Sequence, residues 1–313
     1  MNLVFLGTPE FAVPTLRLLA AGSHRVTAVV TNPDRPQGRG RRPAPPAVKV
    51  AATELGLEVV QPDSPREPGL ADRLASLSPE LFVVVAFSIL PRSLLRLPRL
   101  GSVNLHPSLL PAYRGAAPIP WAVIRGEVQT GLTTFLLNDR VDGGDLLLQQ
   151  PVAIGPEETA GELEQRLAML GAELVCRTVD GLAAGTLQAT PQAAGQVSRA
   201  PKLGREDGRL DWSQPAEVVR NRIRGTNPVP GAFTRWAGGE LKVLRARREP
   251  GSSPGPPGTV LAADPRCGLV VAAADGGLLL TEVQPAGRRP MEGSAFVRGY
   301  GVEPGMRLGE GPS

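Results

Sequence analysis

The residues best suited to chemistry lie in one stretch of the chain, between residues 101 and 148. Asn104 and His106 come at the end of a short apolar strand pattern, and Asp142 follows a second strand pattern over residues 132–137. In an open α/β sheet, the carboxyl ends of strands converge on one edge, where ligands bind. Alternation along a strand places Asn104 and His106 on one face. We therefore expect an amide, an imidazole and a carboxylate to meet there.

These residue types indicate catalysis on a carbonyl group. An Asn amide donates a hydrogen bond to a developing oxyanion, and a neighbouring His donates a proton or a hydrogen bond. A carboxylate can raise the pKa of the imidazole and set its tautomer, or relay protons through water. Ser108 is a poor nucleophile for His106, because the two residues share a proline-flanked turn. A nucleophile elbow, a zinc-protease motif and a phosphate-binding loop are all missing. The set predicts direct attack by a nucleophile that the substrate supplies, without covalent catalysis and without a metal.

The remaining reactive residues have structural interpretations. His24 lies in a turn that enters a strand, and Asp145 is a weaker candidate than Asp142 because it comes later in the turn. Cys176 and Cys267 are too few for a disulfide framework and show no metal spacing, which indicates a reducing compartment. The chain opens without a signal-peptide pattern, and its longest apolar run is about half a membrane span. We expect a cytoplasmic protein.

The N-terminal half has an α/β pattern. A buried strand over residues 2–7, a helix capped by Thr8 and a strand over residues 24–31 form a β-α-β unit, which implies a parallel sheet. Pro9 stands where a dinucleotide fingerprint needs its second glycine, which disfavours a nicotinamide or flavin cofactor. The run over residues 81–87 is apolar on both faces, as in a central parallel strand. The sequence predicts a Rossmann-like domain with a mostly parallel sheet.

A second domain follows a long helix. The helix spans residues 157–182 with an interruption at Gly171, and residues 183–206 lose periodicity. Short strands then follow at hairpin spacing, which predicts a small OB-like β-barrel; they cover residues 232–237, 241–247, 258–262, 269–273 and 278–283. The expected organisation is a catalytic domain over residues 1–189, a linker over 190–206 and a β-barrel domain over 207–313.

Positive charge is concentrated in two places. The 313-residue chain has a net charge of +4, and residues 200–313 hold 16 Lys and Arg against 12 Asp and Glu. A Pro/Gly-rich loop between Asp34 and Lys49 carries five basic residues and one acid. Long loops of this kind are usually either functional or disordered. Basic segments on an otherwise acidic body suit a polyanionic partner.

Several motifs together resemble the methionyl-tRNA formyltransferases. The motifs are Asn104-x-His106, SLLP at 108–111, YRGAAPI at 113–119, Asp142-x-Gly144-Asp145, FLGTPEFA at 5–12, PDRPQGRG at 33–40 and QPAGRRPM at 284–291. The first two mark the wider group of formyltetrahydrofolate-using enzymes. The RGAAPI motif, the basic loop and the C-terminal barrel narrow the resemblance to the tRNA enzymes.

The resemblance implies a reaction and its residues. The donor would be 10-formyltetrahydrofolate, and the acceptor would be the α-amine of methionine on initiator tRNA. Asn104 and His106 would stabilise the oxyanion, while Asp142 would polarise His106 and carry the proton through water. The expected folate contacts are Ser108, Leu109, Leu110, Pro111, Phe87, Ile89 and Leu90. The expected tRNA contacts are Arg35, Arg39, Arg41, Arg42, Lys49, Arg220 and Arg224. We expect a monomer that binds no metal and no membrane.

Two other functions remain open at this point. The same chemistry suits a formyltransferase that acts on a small amine, such as glycinamide ribonucleotide or an amino sugar nucleotide. Such a substrate would need neither the basic loop nor the barrel. A non-catalytic RNA-binding protein on an enzyme scaffold is a third interpretation, and the intact Asn104, His106 and Asp142 disfavour it.

Overall fold

The computed structural model describes residues 1–37, 42–251 and 255–309. Its strands are β1 (Asn2–Gly7), β2 (Arg25–Val30), β3 (Arg35–Gln37), β4 (Arg42–Ala44), β5 (Val59–Val60), β6 (Leu81–Val85), β7 (Ser102–His106), β8 (Gln129–Leu136), β9 (Leu146–Ala153), β10 (Ala232–Trp236), β11 (Gly239–Glu249), β12 (Val260–Asp264), β13 (Gly268–Ala273), β14 (Gly276–Pro285) and β15 (Met291–Glu292). Its α-helices are α1 (Val13–Ala21), α2 (Ala47–Glu54), α3 (Leu70–Ser76), α4 (Arg92–Leu95), α5 (Pro118–Ile124), α6 (Ala160–Ala183), α7 (Ala216–Thr226) and α8 (Gly293–Tyr300). None of the described helices is both long enough and apolar enough to cross a membrane.

The contacts divide the chain into two compact units. The first unit comprises Met1–Ala116, Thr130–Ala153 and Glu164–Ala200. The second unit comprises Ala117–Gln129, Ile154–Leu163 and Pro201–Ser313. Two short segments from the N-terminal half therefore belong to the second unit, which the sequence pattern did not indicate.

The first unit is built on a seven-stranded sheet with the order β5-β2-β1-β6-β7-β8-β9. The pairs of β1 with β2 and β6, of β2 with β5 and of β6 with β7 are parallel, and β8 runs antiparallel to β7. Every residue of β6 is buried, as predicted for a central strand. One face of this sheet holds an apolar core that includes Leu6, Phe82, Leu74 and Leu94.

Two local predictions in this unit were wrong. Thr8 does not cap a helix: α1 begins after a short 3-10 turn, and the Thr8 hydroxyl accepts a hydrogen bond from the Asn32 amide instead. Gly171 does not interrupt α6, which is continuous. A Cβ at Gly171 would lie 2.6 Å from a methyl group of Leu105, so the glycine allows close packing. The sequence shows the glycine but not the neighbour that requires it.

The basic segment after β2 contains two short strands, where the sequence predicts a loop. Strands β3 and β4 form an antiparallel hairpin in which Arg35 pairs with Ala44 and Pro36 with Pro43. Proline lacks the amide hydrogen that strand pairing uses and occurs in strands mainly at sheet edges. The prolines of this segment therefore counted against a strand prediction. Residues 38–41 lie outside the described part of the chain.

The second unit contains an antiparallel sheet with the order β10-β11-β14-β13-β12. Strand β14 pairs with β11 and β13, and its C-terminal part also pairs with β15. All five predicted strands are present, whereas β15 and α8 were missed. In the described residues the pairings form an open path, so this unit is OB-like without a closed barrel. Trp236, Phe296 and Tyr300 pack together in its core, with ring centroids 4.9–5.6 Å apart.

Candidate active site

Strand β7 positions the first two polar residues. His106 lies opposite Thr133 of β8, and Asn104 lies opposite Phe135. Side chains alternate along a strand, so Asn104 and His106 share one face and Leu105 points to the other. On that other face Leu105 packs against Gly171. The strand register therefore fixes the two polar side chains together.

His106 is held by a hydrogen bond at one ring nitrogen and faces a carboxylate with the other. The side chain is buried, with 4% of the residue exposed. Its Nε2 atom lies 2.9 Å from the carbonyl oxygen of Tyr113, and its Nδ1 atom lies 3.9 Å from Oδ2 of Asp142. Because a carbonyl oxygen can only accept, Nε2 carries the proton. In the neutral ring, Nδ1 is therefore the free acceptor atom on the side of Asp142.

Burial lowers the pKa of His106 below its ordinary value. The Asp142 carboxylate and the hydrogen bond to Tyr113 raise this pKa, and the Arg114 guanidinium lowers it further. The carboxylate acts in the predicted direction, but burial outweighs it. His106 is therefore neutral near pH 7, and its unprotonated Nδ1 faces Asp142.

Asp142 follows β8 in the turn that the sequence indicated. Its backbone has a φ of 49°, in the left-handed region, and its side chain is 12% exposed. The same oxygen that faces His106 accepts a 2.8 Å hydrogen bond from the Gly115 amide. A Cβ at Gly144 would lie 1.6 Å from the Leu136 carbonyl oxygen, so this turn needs a glycine there. Asp145 is exposed.

Asn104 differs from its neighbours because its side chain is uncommitted. The residue is half-buried, and among the described residues no hydrogen bond engages its side-chain amide. The amide lies two strand positions from His106 on the same face. It is free to donate a hydrogen bond to a substrate oxygen.

The segment from Ser108 to Pro111 is tied to the neighbouring strands. The Ser108 hydroxyl is buried and donates to the Ala112 carbonyl, which excludes it as a nucleophile. The Leu110 amide donates to the Thr133 hydroxyl, and Gln149 donates to the Leu110 carbonyl. Leu110 and Pro111 are buried, while Leu109 is half-buried.

The loop after β6 supplies apolar surface in the same unit. Phe87 is half-buried and packs on the core, and Leu90 is buried. Ile89, by contrast, is 76% exposed. Leu109, which follows β7, is likewise partly exposed.

The predicted tRNA contacts in the basic segment fall into three groups. Arg35 is exposed on the hairpin. Arg39 and Arg41 lie outside the described residues, and for Arg42 the structure describes the backbone strand but not the side chain. Lys49 forms an ion pair with Asp34 at 2.8 Å, and this pair, with a hydrogen bond from Gln61, lowers the pKa of Asp34.

The two arginines of helix α7 are engaged inside the second unit. Arg220 pairs with Glu217 and Glu157, both at 2.7 Å. Arg224 is 8% exposed and donates to the Asn221 side chain and to backbone carbonyl oxygens of the 155–158 segment. Burial lowers the pKa of Arg224. Both side chains bind protein groups rather than facing solvent, which disfavours a contact with tRNA.

Other groups have structural roles. His24 contacts Asp180 at 2.9 Å and the N-terminal amine at 3.3 Å, as expected for a structural histidine. Burial raises the pKa of the Cys176 thiol to about 11, which makes it unreactive. Within the described residues, no group of His, Cys, Asp and Glu has the geometry of a metal site. The contacts of Tyr113 and Gly115 to the site were missed, because backbone groups leave no mark in a residue pattern.

Solved structures share this fold. HypX from Aquifex aeolicus in complex with tetrahydrofolic acid superposes with a TM-score of 0.63 at 20% identity, over 95% of this chain and 47% of HypX. The sugar 3N-formyl transferase WlaRD superposes with a TM-score of 0.65 at 13% identity, over 92% of this chain and 99% of WlaRD. At such low identities the likeness concerns the fold.

Sequence comparison gives the class and then the family. The formyl transferase profile matches residues 1–179, and the profile of the formyl transferase C-terminal domain matches residues 202–301. The fold and the two profiles define a formyl transferase. A methionyl-tRNA formyltransferase of Solibacter usitatus is 45% identical over 312 residues, and one of Moorella thermoacetica is 48% identical over 310 residues; each match covers 99% of both chains. The chain belongs to the methionyl-tRNA formyltransferase family.

Proposed function

We propose that this enzyme transfers the formyl group of 10-formyltetrahydrofolate to the α-amine of methionine on initiator tRNA. The observation that carries the proposal is the convergence of an uncommitted Asn104 amide, a buried His106 and a carboxylate 3.9 Å from the free nitrogen of that ring. The relatives at 45% and 48% identity are named methionyl-tRNA formyltransferases. The arrangement suits a reaction in which an amine attacks a carbonyl carbon directly.

The described residues fit the folate donor. When bound, 10-formyltetrahydrofolate supplies an electrophilic formyl carbon. The exposed Ile89, the half-buried Phe87 and Leu109 offer apolar surface to its ring system. The other four predicted folate contacts are buried, and the Ser108 hydroxyl is hydrogen-bonded to the Ala112 carbonyl. We propose that they support this apolar surface from the protein interior; they are Leu90, Ser108, Leu110 and Pro111.

Asn104 would act on the formyl oxygen. Negative charge develops on that oxygen as the amine adds to the carbonyl carbon, and a positioned amide donor stabilises it. The side-chain amide needs no rearrangement to do so, because no described residue engages it. Removal of one such donor typically lowers turnover by about 10²–10³-fold.

His106 and Asp142 would take up the proton that the amine releases as its bond to the formyl carbon forms. They would return a proton to the folate nitrogen as the bond from that nitrogen to the formyl carbon breaks, which yields the formylated amine and tetrahydrofolate. The neutral ring offers Nδ1 as the acceptor, because Nε2–H already donates to the Tyr113 carbonyl. Once protonated, the ring is stabilised by the Asp142 carboxylate 3.9 Å away, a distance that a water molecule can bridge. With Nε2–H bound to Tyr113, only the protonated ring has a free donor, so the predicted stabilisation of the oxyanion by His106 would follow protonation of Nδ1.

The hairpin β3–β4 is the proposed tRNA-binding element of the first unit. Arg35 is exposed there, and Arg39, Arg41 and Arg42 continue the same basic stretch of sequence. Arginines of this kind pair with phosphates or with base edges. We propose that residues 1–189 carry catalysis, that residues 207–313 add tRNA affinity, and that the enzyme acts as a cytoplasmic monomer.

The formyl acceptor decides between this function and its alternative. The purified protein is mixed with 10-formyltetrahydrofolate and methionyl initiator tRNA, and formylmethionine is measured after hydrolysis. We expect formylation of the tRNA, and an equimolar addition of glycinamide ribonucleotide should leave its rate unchanged. Preferential formylation of the ribonucleotide would favour the small-amine alternative, and no formylation of either would exclude both.

A further inference from the structure

Residues 190–200 lie along the active-site loops, although the sequence predicts a linker there. Thr190 exchanges two backbone hydrogen bonds with Leu146, at 2.7 and 2.9 Å. Ser198 accepts hydrogen bonds from the amides of Tyr113 and Arg114, and the Ala200 amide donates to the Arg114 carbonyl. The carbonyl oxygen of Tyr113 accepts the hydrogen bond from Nε2–H of His106. The segment, here called the strap, therefore borders both loops that surround His106.

Gln192 is the residue of the strap that connects these loops. Its side-chain nitrogen donates to the carbonyl oxygens of Asp142 at 2.9 Å and of Gly144 at 2.7 Å. Its side-chain oxygen accepts a 2.6 Å hydrogen bond from the Arg114 guanidinium. Carbonyls only accept and guanidinium groups only donate, so this amide orientation is the one that satisfies all three partners.

These contacts fix both charged groups that face His106. Asp142 holds a left-handed backbone conformation, which is unfavourable for a residue with a side chain and needs support from its surroundings. The amide of Gln192 supplies that support at both ends of the turn. On its other side the same amide holds Arg114, whose positive charge opposes protonation of His106, whereas Asp142 favours protonation.

We propose that Gln192 is a positioning residue for formyl transfer, which holds the Asp142 turn and the Arg114 guanidinium in place around His106. This inference rests on the proposed function, because it assumes that His106 takes part in the reaction. Gln192 does not itself contact the atoms that react. Its effect should therefore appear in turnover rather than in the affinity for either substrate.

Gln192→Met tests this role, because methionine has a similar length but makes none of the three hydrogen bonds. We expect kcat to fall about 10–100-fold, while KM for the folate donor and for the tRNA stays within about twofold. Gln196→Met is the matched control, since Gln196 lies in the same strap and is exposed. The control should keep the kcat of the unmodified enzyme.

Gln192→Glu separates positioning from a general structural role. A carboxylate still accepts from Arg114 but cannot donate to the two carbonyl oxygens, so kcat should again fall. Its negative charge beside Arg114 should also move the acidic limb of the kcat/KM profile upward by about half a pH unit. A structural role alone would lower the melting temperature and leave the pH profile unchanged.

Different results would exclude the proposed function and the positioning role of Gln192. If the unmodified enzyme does not formylate methionyl-tRNA, the proposed function is wrong whatever Gln192 does. If that enzyme is active and Gln192→Glu keeps both its kcat and its pH profile, the positioning role is wrong. If Gln192→Met fails to fold, Gln192→Glu alone decides the question.

Discussion

The active-site edge of the first unit and helix α7 of the second unit use similar polar side chains in opposite ways. At the site, the Asn104 amide is uncommitted and the free nitrogen of His106 lies 3.9 Å from its carboxylate. In helix α7, Arg220 and Arg224 donate to acidic side chains, an amide and carbonyl oxygens of their own unit. A partly buried polar group that has no hydrogen-bond partner in the protein is available to bind a ligand. A polar group whose hydrogen bonds are all made within the protein stabilises the fold instead.

The largest difference should appear when each region loses a buried ionisable side chain, His106 at the site and Arg224 in helix α7. His106→Ala should lower kcat by about 10²–10⁴-fold, because the proton acceptor is lost. Its tRNA Kd should stay within about twofold. His24→Ala is the matched control, since the other histidine lies on the same unit with structural contacts only. An unchanged kcat in His106→Ala would remove the residue from the mechanism.

Arg224→Ala should act on stability. The substitution leaves the Asn221 side chain and two backbone carbonyl oxygens without their buried donor, so we expect the free energy of unfolding to fall by about 2–4 kcal/mol. Chemical denaturation measures this change, and Arg247→Ala on an exposed position of β11 is the control. If Arg224→Ala keeps full stability but weakens tRNA binding severalfold, its predicted role in phosphate binding is restored.

A smaller effect is expected at the hairpin. Arg35→Ala should raise the tRNA Kd severalfold and reduce the slope of log Kd against log salt by about one, the value for one lost phosphate contact. Lys49→Ala should change the slope less, because Lys49 is paired with Asp34. Filter binding at several salt concentrations measures both. Equal slopes in Arg35→Ala and the unmodified protein would assign the hairpin a role other than tRNA binding.

The smallest expected effect is the pH dependence of stability and activity that His106 contributes. Burial lowers the pKa of His106 in the folded enzyme, so the unfolded chain, with a pKa of about 6.5, takes up the proton first as the pH falls. The free energy of unfolding should therefore decrease below about pH 6.5, until the pH passes the folded pKa. His106→Ala should remove this contribution. The acidic limb of kcat/KM should likewise lie below pH 6.5.

The placement of the proposed catalytic residues was predictable because strand periodicity dictates where they lie. Asn104 and His106 share a face in any strand, and the turn after β8 brings Asp142 to the same edge of the sheet. The burial that lowers the pKa of His106 was not predictable in the same way. It depends on how the chain packs around the ring, which a residue pattern does not contain, just as it does not contain the contacts of residues 190–200 to the loops of Tyr113 and Asp142.

Charge was a poorer guide than periodicity. Arg220 and Arg224 have the spacing of a basic helix face, yet Glu157 and the carbonyl oxygens that they bind come from another segment of the chain. Lys49 similarly pairs with Asp34 across the hairpin segment. Whether a cation is free depends on tertiary partners that a one-dimensional pattern does not contain. The prolines hid the hairpin for a related reason, since they weaken the usual strand pattern.

We propose that Asn104, His106 and Asp142 catalyse formyl transfer. The most direct measurement is the single-turnover rate of methionyl-tRNA formylation by Asn104→Ala, with enzyme in excess and both substrates saturating. We expect a rate about 10²–10³-fold below that of the unmodified enzyme, with an unchanged tRNA Kd. A rate equal to that of the unmodified enzyme would contradict the proposal.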